Sequence, residues 1–276
     1  MTNEPTIQRP ADNPVASSSD ATAALNKLLP AAGGTATIRD AGDGRPVLLL
    51  HGGGGTATVI GLSHALLAKC RVLVPTHPGF DGTSRPANLQ GVAELARLYL
   101  RLLEALDLRD VLVIGSSIGG WIAAEMALAD AGRIAGLVLL NPVGIQVSGA
   151  PLTDVSGLSR PELVRLASHN PELIMANTPP PTPERIAMFA ANTVALAAYD
   201  NGQAMMATGL RERLATVNTP ALVLWGTSDG IASTAYGQAY AAAFANGRFE
   251  AIDEAGHLPH IEQAMRVLQH IEQFKP

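Results

Sequence analysis

Short, predominantly apolar runs recur along the 276-residue chain, and they limit its fold more than any other feature. The runs lack the polar–apolar alternation of a half-exposed strand, so the strands they form must be buried on both faces. The five clearest runs are 47–50, 71–74, 111–114, 134–140 and 221–225. Because helical patterns with short joints separate most of them, the order predicts a mostly parallel sheet with helices on both faces.

The helical patterns divide the chain into a core and an insertion. The clearest helix spans 89–106, where leucines recur at spacings of three and four and build one apolar stripe. Further helices are predicted at 21–29, 59–69, 118–128, 234–244 and 259–274, and weaker strands at 35–39 and 248–252. From 143 the alternation stops and prolines accumulate. We therefore predict a flexible tail at 1–20, a core at 21–142 and 215–276, and a helical cap at 143–214.

Charge and cysteine content exclude several classes of function. The formal net charge is −5 and no basic run occurs, so neither a nucleic-acid partner nor an anionic membrane surface is expected. The single cysteine, Cys70, permits no intramolecular disulfide and no zinc site built on cysteines. No signal peptide and no apolar run of the ~20 residues that span a bilayer is recognisable. We expect a cytoplasmic protein that acts on a small molecule without cofactor or metal; its oligomeric state stays open.

A candidate nucleophile lies between a predicted strand and a predicted helix. The run Gly115-Ser116-Ser117-Ile118-Gly119 has the form G-x-S-x-G, which is typical of a serine on a sharp strand-to-helix turn. Glycine is required two residues before and two after the serine, because side chains there would collide. The following helix N-terminus favours the negative charge that develops during attack. The pattern therefore predicts Ser117 as the nucleophile, with Ser116 pointing elsewhere.

A glycine loop follows the early apolar strand. In His51-Gly52-Gly53-Gly54-Gly55 the missing side chains let backbone N–H groups approach an oxyanion. We predict an oxyanion hole formed by the N–H of Gly53, with Gly54 as the alternative, and by the N–H of Ile118. A phosphate-binding loop is disfavoured because no Gly-Lys-Ser or Gly-Lys-Thr follows. A turn without chemistry is the other interpretation, and His51 is expected to bond the loop backbone.

The base and the acid are expected at later strand ends. A serine hydroxyl needs a histidine to accept its proton and an acid to orient that histidine. Of seven histidines, only His257 lies in a glycine-marked turn after the last predicted strand. His260 opens the final helix, where a surface or capping role is expected. Asp229 follows the strand 221–225 and is preferred as the acid. Asp81 is expected only to shape an early loop, and Asp253 and Glu254 are too close to His257 along the chain for a relaxed bond to its ring.

Five pieces in this order resemble the α/β-hydrolase superfamily over roughly Thr35 to the C-terminus. They are 51–53, 77–84, 115–120, 225–229 and 256–257. The resemblance implies an eight-stranded, mostly parallel sheet flanked by helices, with a helical cap between the sixth and seventh strands. The segment 143–214 fits that cap.

At several motif positions this chain differs from particular branches of the superfamily, and these differences disfavour the activities of those branches. Haloalkane dehalogenases and epoxide hydrolases carry an aspartate nucleophile. Both activities are disfavoured because the residue at the strand-to-helix turn is Ser117. Carbon–carbon bond hydrolases usually carry Asn before the serine and Trp after the histidine, where this chain has Ser116 and Leu258. His77 replaces the usual early-loop aspartate, and the residues alone assign it no role.

We therefore predict a carboxylesterase-like serine hydrolase that cleaves a small or medium apolar ester through an acyl-enzyme, with the triad Ser117, Asp229 and His257. The cap is rich in apolar residues that either pack or line a substrate pocket. These are Leu158, Leu163, Leu166, Leu173, Ile174, Met175, Ile186, Met188, Phe189, Val194, Met205 and Met206. Alternatives on the same triad are a meta-cleavage-product type carbon–carbon hydrolase, a lactonase, an amidase or a haloperoxidase-like activity. A ligand-binding protein with vestigial turnover is the alternative of another class.

Overall fold

A computed structural model describes residues 18–29, 35–176, 178 and 180–276 of the chain. Each of the five apolar runs forms a strand in this structure, as does the weaker candidate at 248–252. The candidate at 35–39 is displaced, because the strand there begins at Ile38 and ends at Ala41. The strands are β1 (Ile38–Ala41), β2 (Arg45–Leu50), β3 (Cys70–Pro75), β4 (Val111–Ser116), β5 (Ile134–Leu140), β6 (Ala221–Gly226) and β7 (Gly247–Ile252). Most of the predicted tail, residues 1–17, lies outside the described part of the chain.

All seven strands join one sheet in the order β1-β3-β2-β4-β5-β6-β7. Only β1 is antiparallel to its neighbour, and every other pair is parallel. The mostly parallel sheet is confirmed, but the described residues form seven strands and not eight. The eighth strand was implied by the resemblance alone, since the apolar runs themselves number seven with the two weaker ones.

Helices connect the strands, and four of them lie between β5 and β6. The helices are α1 (Ser18–Leu28), α2 (Ile60–Leu66), α3 (Val92–Ala105), α4 (Ile118–Ala129), α5 (Arg160–Ala167), α6 (Pro171–Ala176), α7 (Pro183–Asp200), α8 (Leu210–Leu214), α9 (Thr234–Ala243), α10 (Pro259–Glu262) and α11 (Ala264–Gln273). The helix predicted over 259–274 is broken at Gln263, whose non-helical backbone (φ −128°, ψ 49°) separates α10 from α11. No helix in the described part of the chain is long and apolar enough to cross a membrane.

Alternate residues of the central strands point into two separate apolar layers. In β2, Leu48 and Leu50 pack with α1, α3 and α4, whereas Val47 and Leu49 pack with α2 and α11. Because all four side chains are fully buried, residues 47–50 must be apolar at every position, which explains the continuous run in the sequence. The carboxyl ends of β2, β4, β5, β6 and β7 consequently meet at one edge of the sheet.

A buried ion pair ties the antiparallel edge strand to the sheet. Arg71 in β3 donates from Nε and Nη2 to the two carboxylate oxygens of Asp40 in β1, at 2.9 and 2.7 Å. Both side chains are almost completely buried, at 6% and 3% exposure. By contrast, the Lys69–Glu272 pair is exposed at 70% and 44%.

Removing one partner of the buried pair should be far more damaging than removing one partner of the exposed pair. Asp40→Ala removes both hydrogen bonds of the buried Arg71 guanidinium and leaves it only the charges of Asp20 and Asp43, so the free energy of unfolding should fall by about 3 kcal/mol. Lys69→Ala should change it by less than about 1 kcal/mol. Urea denaturation of the two variants measures the difference, and equal effects would contradict this account of the β1–β3 contact.

Candidate active site

Ser117 lies at a strained turn between β4 and α4. Its backbone is in the left-handed region (φ 54°, ψ −118°), which is rare for a residue with a side chain. A Cβ on Gly115 would lie 2.3 Å from the carbonyl oxygen of Gly119, and one on Gly119 would lie 2.4 Å from that of Leu50. The two glycines therefore allow the turn, and the turn lifts the Ser117 side chain from the end of the strand as the sequence predicts.

His257 and Asp229 meet at the same edge of the sheet. Nδ1 of His257 and Oδ2 of Asp229 are 2.8 Å apart, and both side chains are buried, with 7% and 0% exposure. Asp229 is positioned in turn by Nδ2 of Asn141, which donates to Oδ2 at 2.7 Å, and by the N–H of Ile231, which donates to Oδ1 at 2.8 Å. Asn141 was not predicted, although an Asn-Pro pair at the end of β5 was a visible signal.

The surroundings of Asp229 keep its carboxylate ionised. Burial by itself would raise the pKa of Asp229, but the charge and hydrogen bond of His257, together with the donors of Asn141 and Ile231, lower it below its usual value. An ionised carboxylate at Nδ1 leaves Nε2 of His257 as the proton acceptor of the ring.

The second contact of a serine triad, between the serine and the histidine, is not formed in this structure, because the described residues include no hydrogen bond between Ser117 Oγ and His257. Such bonds often become short only when a substrate is present. The two groups nevertheless belong to one connected region. The N–H of Ser117 donates to the carbonyl of Leu140, and the next residue, Asn141, bonds Asp229.

The glycine loop lies directly against the nucleophile. A Cβ on Gly52 would lie 3.3 Å from Cβ of Ser117. Among the described residues, the N–H groups of Gly53, Gly54 and Ile118 donate to no protein acceptor. This arrangement suits an oxyanion hole but does not decide between Gly53 and Gly54. A side chain on Gly53 would meet Leu196 of α7 at 2.9 Å, which places an apolar residue of the cap over the loop.

Two buried histidines hold the glycine loop in place. The N–H of His77 donates to Nε2 of His51 at 3.0 Å, so Nδ1 of His51 carries the proton and donates to the carbonyl of Gly52 at 2.7 Å. Nε2 of His77 donates to the carbonyl of His51 at 3.0 Å, and its Nδ1 accepts from the hydroxyl of Tyr99 at 2.6 Å. His77 therefore has a structural role that the sequence alone left open.

Asp81 connects the glycine loop to the cap. Its Oδ2 accepts from the N–H and the hydroxyl of Thr56, both at 2.8 Å. Its Oδ1 accepts from Nδ2 of Asn192 in α7 at 2.9 Å, and Oδ1 of Asn192 accepts from the N–H of Asp81 at 2.8 Å. Asp81 thus shapes the early loop, and it also anchors α7, which the sequence did not reveal.

His260 is buried, so the expected surface position is wrong. Its side chain is 4% exposed, and Nε2 donates to the carbonyl of Thr58 at 2.9 Å. The break at Gln263 turns α10 into a separate element that packs near the glycine loop. No group of three or more metal-ligating side chains occurs among the described residues, and the expectation that no metal or cofactor is used stays a prediction.

Comparison with known proteins identifies the family. The alpha/beta hydrolase family profile matches residues 47–270, so the chain belongs to the alpha/beta hydrolase family. A 2-hydroxy-6-oxo-2,4-heptadienoate hydrolase from Pseudomonas putida is 30% identical over 128 residues, which cover 45% of this chain and 46% of that protein.

Solved structures agree in fold. A meta-cleavage product hydrolase from Pseudomonas fluorescens has a TM-score of 0.71 at 21% identity, covering 88% of this chain and 94% of that one. A thermophilic esterase from Thermogutta terrifontis has a TM-score of 0.63 at 27% identity, covering 86% and 92%.

Substitution of two glycines by alanine tests the close approach of α4 to the end of β2. Gly119→Ala should lower the free energy of unfolding by several kcal/mol, because the new Cβ meets the rigid backbone oxygens of Leu50 and His51. Gly61→Ala in α2 is the matched control. Nothing lies within 4 Å of its Cβ position, so the variant should be about 0.5–1 kcal/mol more stable. Thermal unfolding followed by circular dichroism measures both, and a Gly119→Ala protein as stable as wild type would refute the packing described.

The buried histidines predict a loss of stability in acid. Burial lowers the pKa of His51 and of His260 to about 4 each, whereas the unfolded chain titrates near 6.5. The neutral imidazoles therefore stabilise the fold fully above pH 6.5, and this stability is lost as the pH falls from 6.5 towards 4. Each of these two histidines should lower the free energy of unfolding by on the order of 2 kcal/mol as the pH falls from 6.5 to 5.

Urea denaturation at these two pH values measures the loss. His260→Asn should reduce the difference between them, whereas substitution of the exposed His64 by Asn should leave it unchanged. A pH difference in His260→Asn as large as in wild type would contradict the prediction.

Proposed function

We propose that this protein is a serine hydrolase that cleaves a small or medium apolar carboxylic ester, with no cofactor or metal. The observation that carries the proposal is the His257–Asp229 hydrogen bond at the sheet edge where Ser117 and unbonded N–H groups lie. Nε2 of His257 accepts the Ser117 proton as Oγ attacks the carbonyl carbon, and Asp229 stabilises the imidazolium. The tetrahedral intermediate collapses, the ester C–O bond breaks, and the alcohol leaves with the proton from His257. His257 then takes a proton from water, which attacks the acyl-enzyme, and the carboxylic acid leaves as the proton returns to Ser117.

The tetrahedral oxyanion would be stabilised by the N–H of Ile118 together with that of Gly53 or Gly54. In each case a backbone donor is already free of protein partners, so it need not break a bond when charge develops. The loss of one such donor typically lowers kcat by about 10²–10³-fold.

The cap supports an apolar substrate. Every one of its twelve predicted apolar residues is at least partly exposed, although Met205 also packs against the core. Leu173, Ile186 and Val194 are 55%, 58% and 70% exposed. Leu196 lies over the glycine loop, where the acyl or alcohol part of an ester would enter. These positions favour apolar contacts over the recognition of a charged group.

A second candidate is a carbon–carbon bond hydrolase. It is favoured by the 30% identity with the heptadienoate hydrolase, although that similarity covers less than half of either protein. Ser116 and Leu258, at the positions that hold Asn and Trp in the pattern of that branch, favour ester cleavage. Loss of the visible absorbance of a 2-hydroxy-6-oxo-dienoate would identify this activity, and p-nitrophenyl butyrate serves as the ester.

Ser117→Ala should abolish both ester turnover and labelling by a fluorophosphonate probe, with kcat falling by about four orders of magnitude or more. Ser116→Ala is the matched control. It removes the hydroxyl of the adjacent serine, which is buried without a hydrogen-bond partner, and should leave labelling intact. The measurements are hydrolysis of p-nitrophenyl acetate and butyrate and labelling of the three proteins. A wild type that neither turns over nor labels would refute the proposal, and labelling without ester turnover would indicate another bond.

A further inference from the structure

A segment of the cap, residues 166–170, crosses the two loops that carry the acid and the base. The N–H of Gly230, next to Asp229, donates to the carbonyl of Leu166 at 3.1 Å. The N–H of His257 donates to the carbonyl of Ala167 at 2.7 Å. The backbone of this segment therefore bonds both loops between which the His257–Asp229 hydrogen bond is formed.

Two further contacts hold residues 166–170 against the loops of Asp229 and His257. Nδ1 of His169 and the hydroxyl of Ser228 are 2.8 Å apart, which adds a side-chain bond to the acid loop. On the base loop, a Cβ on Gly256 would lie 2.1 Å from the carbonyl oxygen of Ala167. Only glycine permits this approach, so Gly256 next to His257 serves the contact between the cap and the base loop.

Glu262 binds the segment and the base loop at once. Its Oε2 accepts from the N–H of Gly256 at 2.7 Å and from the N–H of His169 at 3.2 Å, and its Oε1 accepts from the N–H of Asn170 at 3.0 Å. Hydrogen bonds to an ionised carboxylate are about twice as strong as neutral ones. A single side chain thus joins the turn of His257 to the cap through three backbone donors.

Glu262 is also fixed to the glycine loop through its own helix. It ends α10, and His260 of the same turn donates to the carbonyl of Thr58, which follows the glycine loop. The short helix α10 therefore contacts the cap, the base loop and the oxyanion side of the site.

We propose that Glu262 is a positioning residue that holds His257 against Asp229 by clamping the base loop to residues 166–170 of the cap. The inference rests on the proposed hydrolase function. In this proposal the cap helps to orient His257, in addition to contacting the substrate. An effect on the chemical step follows, because small displacements of a catalytic group reduce the rate strongly.

Glu262→Gln tests the proposal. An amide offers one acceptor oxygen and places an NH2 group against at least one of the three N–H donors, so the clamp loses bonds while the side chain keeps its size. We expect kcat for p-nitrophenyl butyrate to fall about tenfold with KM changed by less than about twofold, and the rate of fluorophosphonate labelling to fall in parallel. Amide hydrogens in 166–170 and 253–258 should exchange faster.

Glu254→Gln is the matched control. It removes a carboxylate three residues from His257 whose side chain is 63% exposed and lies 3.7 Å from Arg266, and it should behave as wild type. Glu262→Asp keeps the charge but shortens the side chain, and the same loss of kcat is expected, which covers the case in which Glu262→Gln does not fold.

The outcomes separate the two proposals. A wild type that labels, with Glu262→Gln and Glu262→Asp labelling equally fast, overturns the positioning role alone. Equal losses in Glu262→Gln and Glu254→Gln overturn it as well, because charge and not hydrogen bonding would then be responsible. A fall in thermal stability with kcat unchanged assigns Glu262 a purely structural role. A wild type that does not label removes the hydrolase proposal and this inference with it.

Discussion

The packing of α4 against the end of β2 is the constraint on which the rest of the site depends. With no side chain on Gly119, the helix begins so close to β2 that a Cβ there would meet the carbonyl oxygens of Leu50 and His51. The same approach forces Ser117 into the left-handed region and brings it against Gly52. Ser117 and the glycine loop are therefore adjacent because two backbones touch, and no side-chain contact is needed to bring them together.

Around this backbone contact, buried polar groups fix the orientation of each functional residue. Asn141 and His257 share the carboxylate of Asp229. Tyr99 bonds His77, His77 bonds His51, and His51 in turn bonds the carbonyl of Gly52. Unpaired polar groups are costly in the interior, so networks of this kind specify one arrangement. The strain stored at Ser117 is maintained by the rigid surroundings that this bonding provides.

Among the contacts between the cap and the core, two groups lie beside the candidate site. Asn192 in α7 pairs with Asp81, which also bonds the loop containing Thr56, and residues 166–170 bond the loops of Asp229 and His257. One junction lies beside the glycine loop and the other beside the loops of Asp229 and His257. A change in the cap would therefore reach both halves of the site, in addition to its effect on substrate contacts.

The sequence by itself determined the strands, the sharp turn at Ser117 and the candidates Asp229 and His257. These features depend on local patterns: continuous apolar runs, glycines at fixed spacing and loops that directly follow a strand. It did not reveal Asn141, Glu262 or the burial of His260. The partners of these residues are distant in the chain, 88 residues away for Asn141–Asp229 and 202 for His260–Thr58. Only the tertiary structure decided which polar groups meet, because long-range hydrogen bonds follow from how the loops pack at the sheet edge and leave no periodic signal in the sequence.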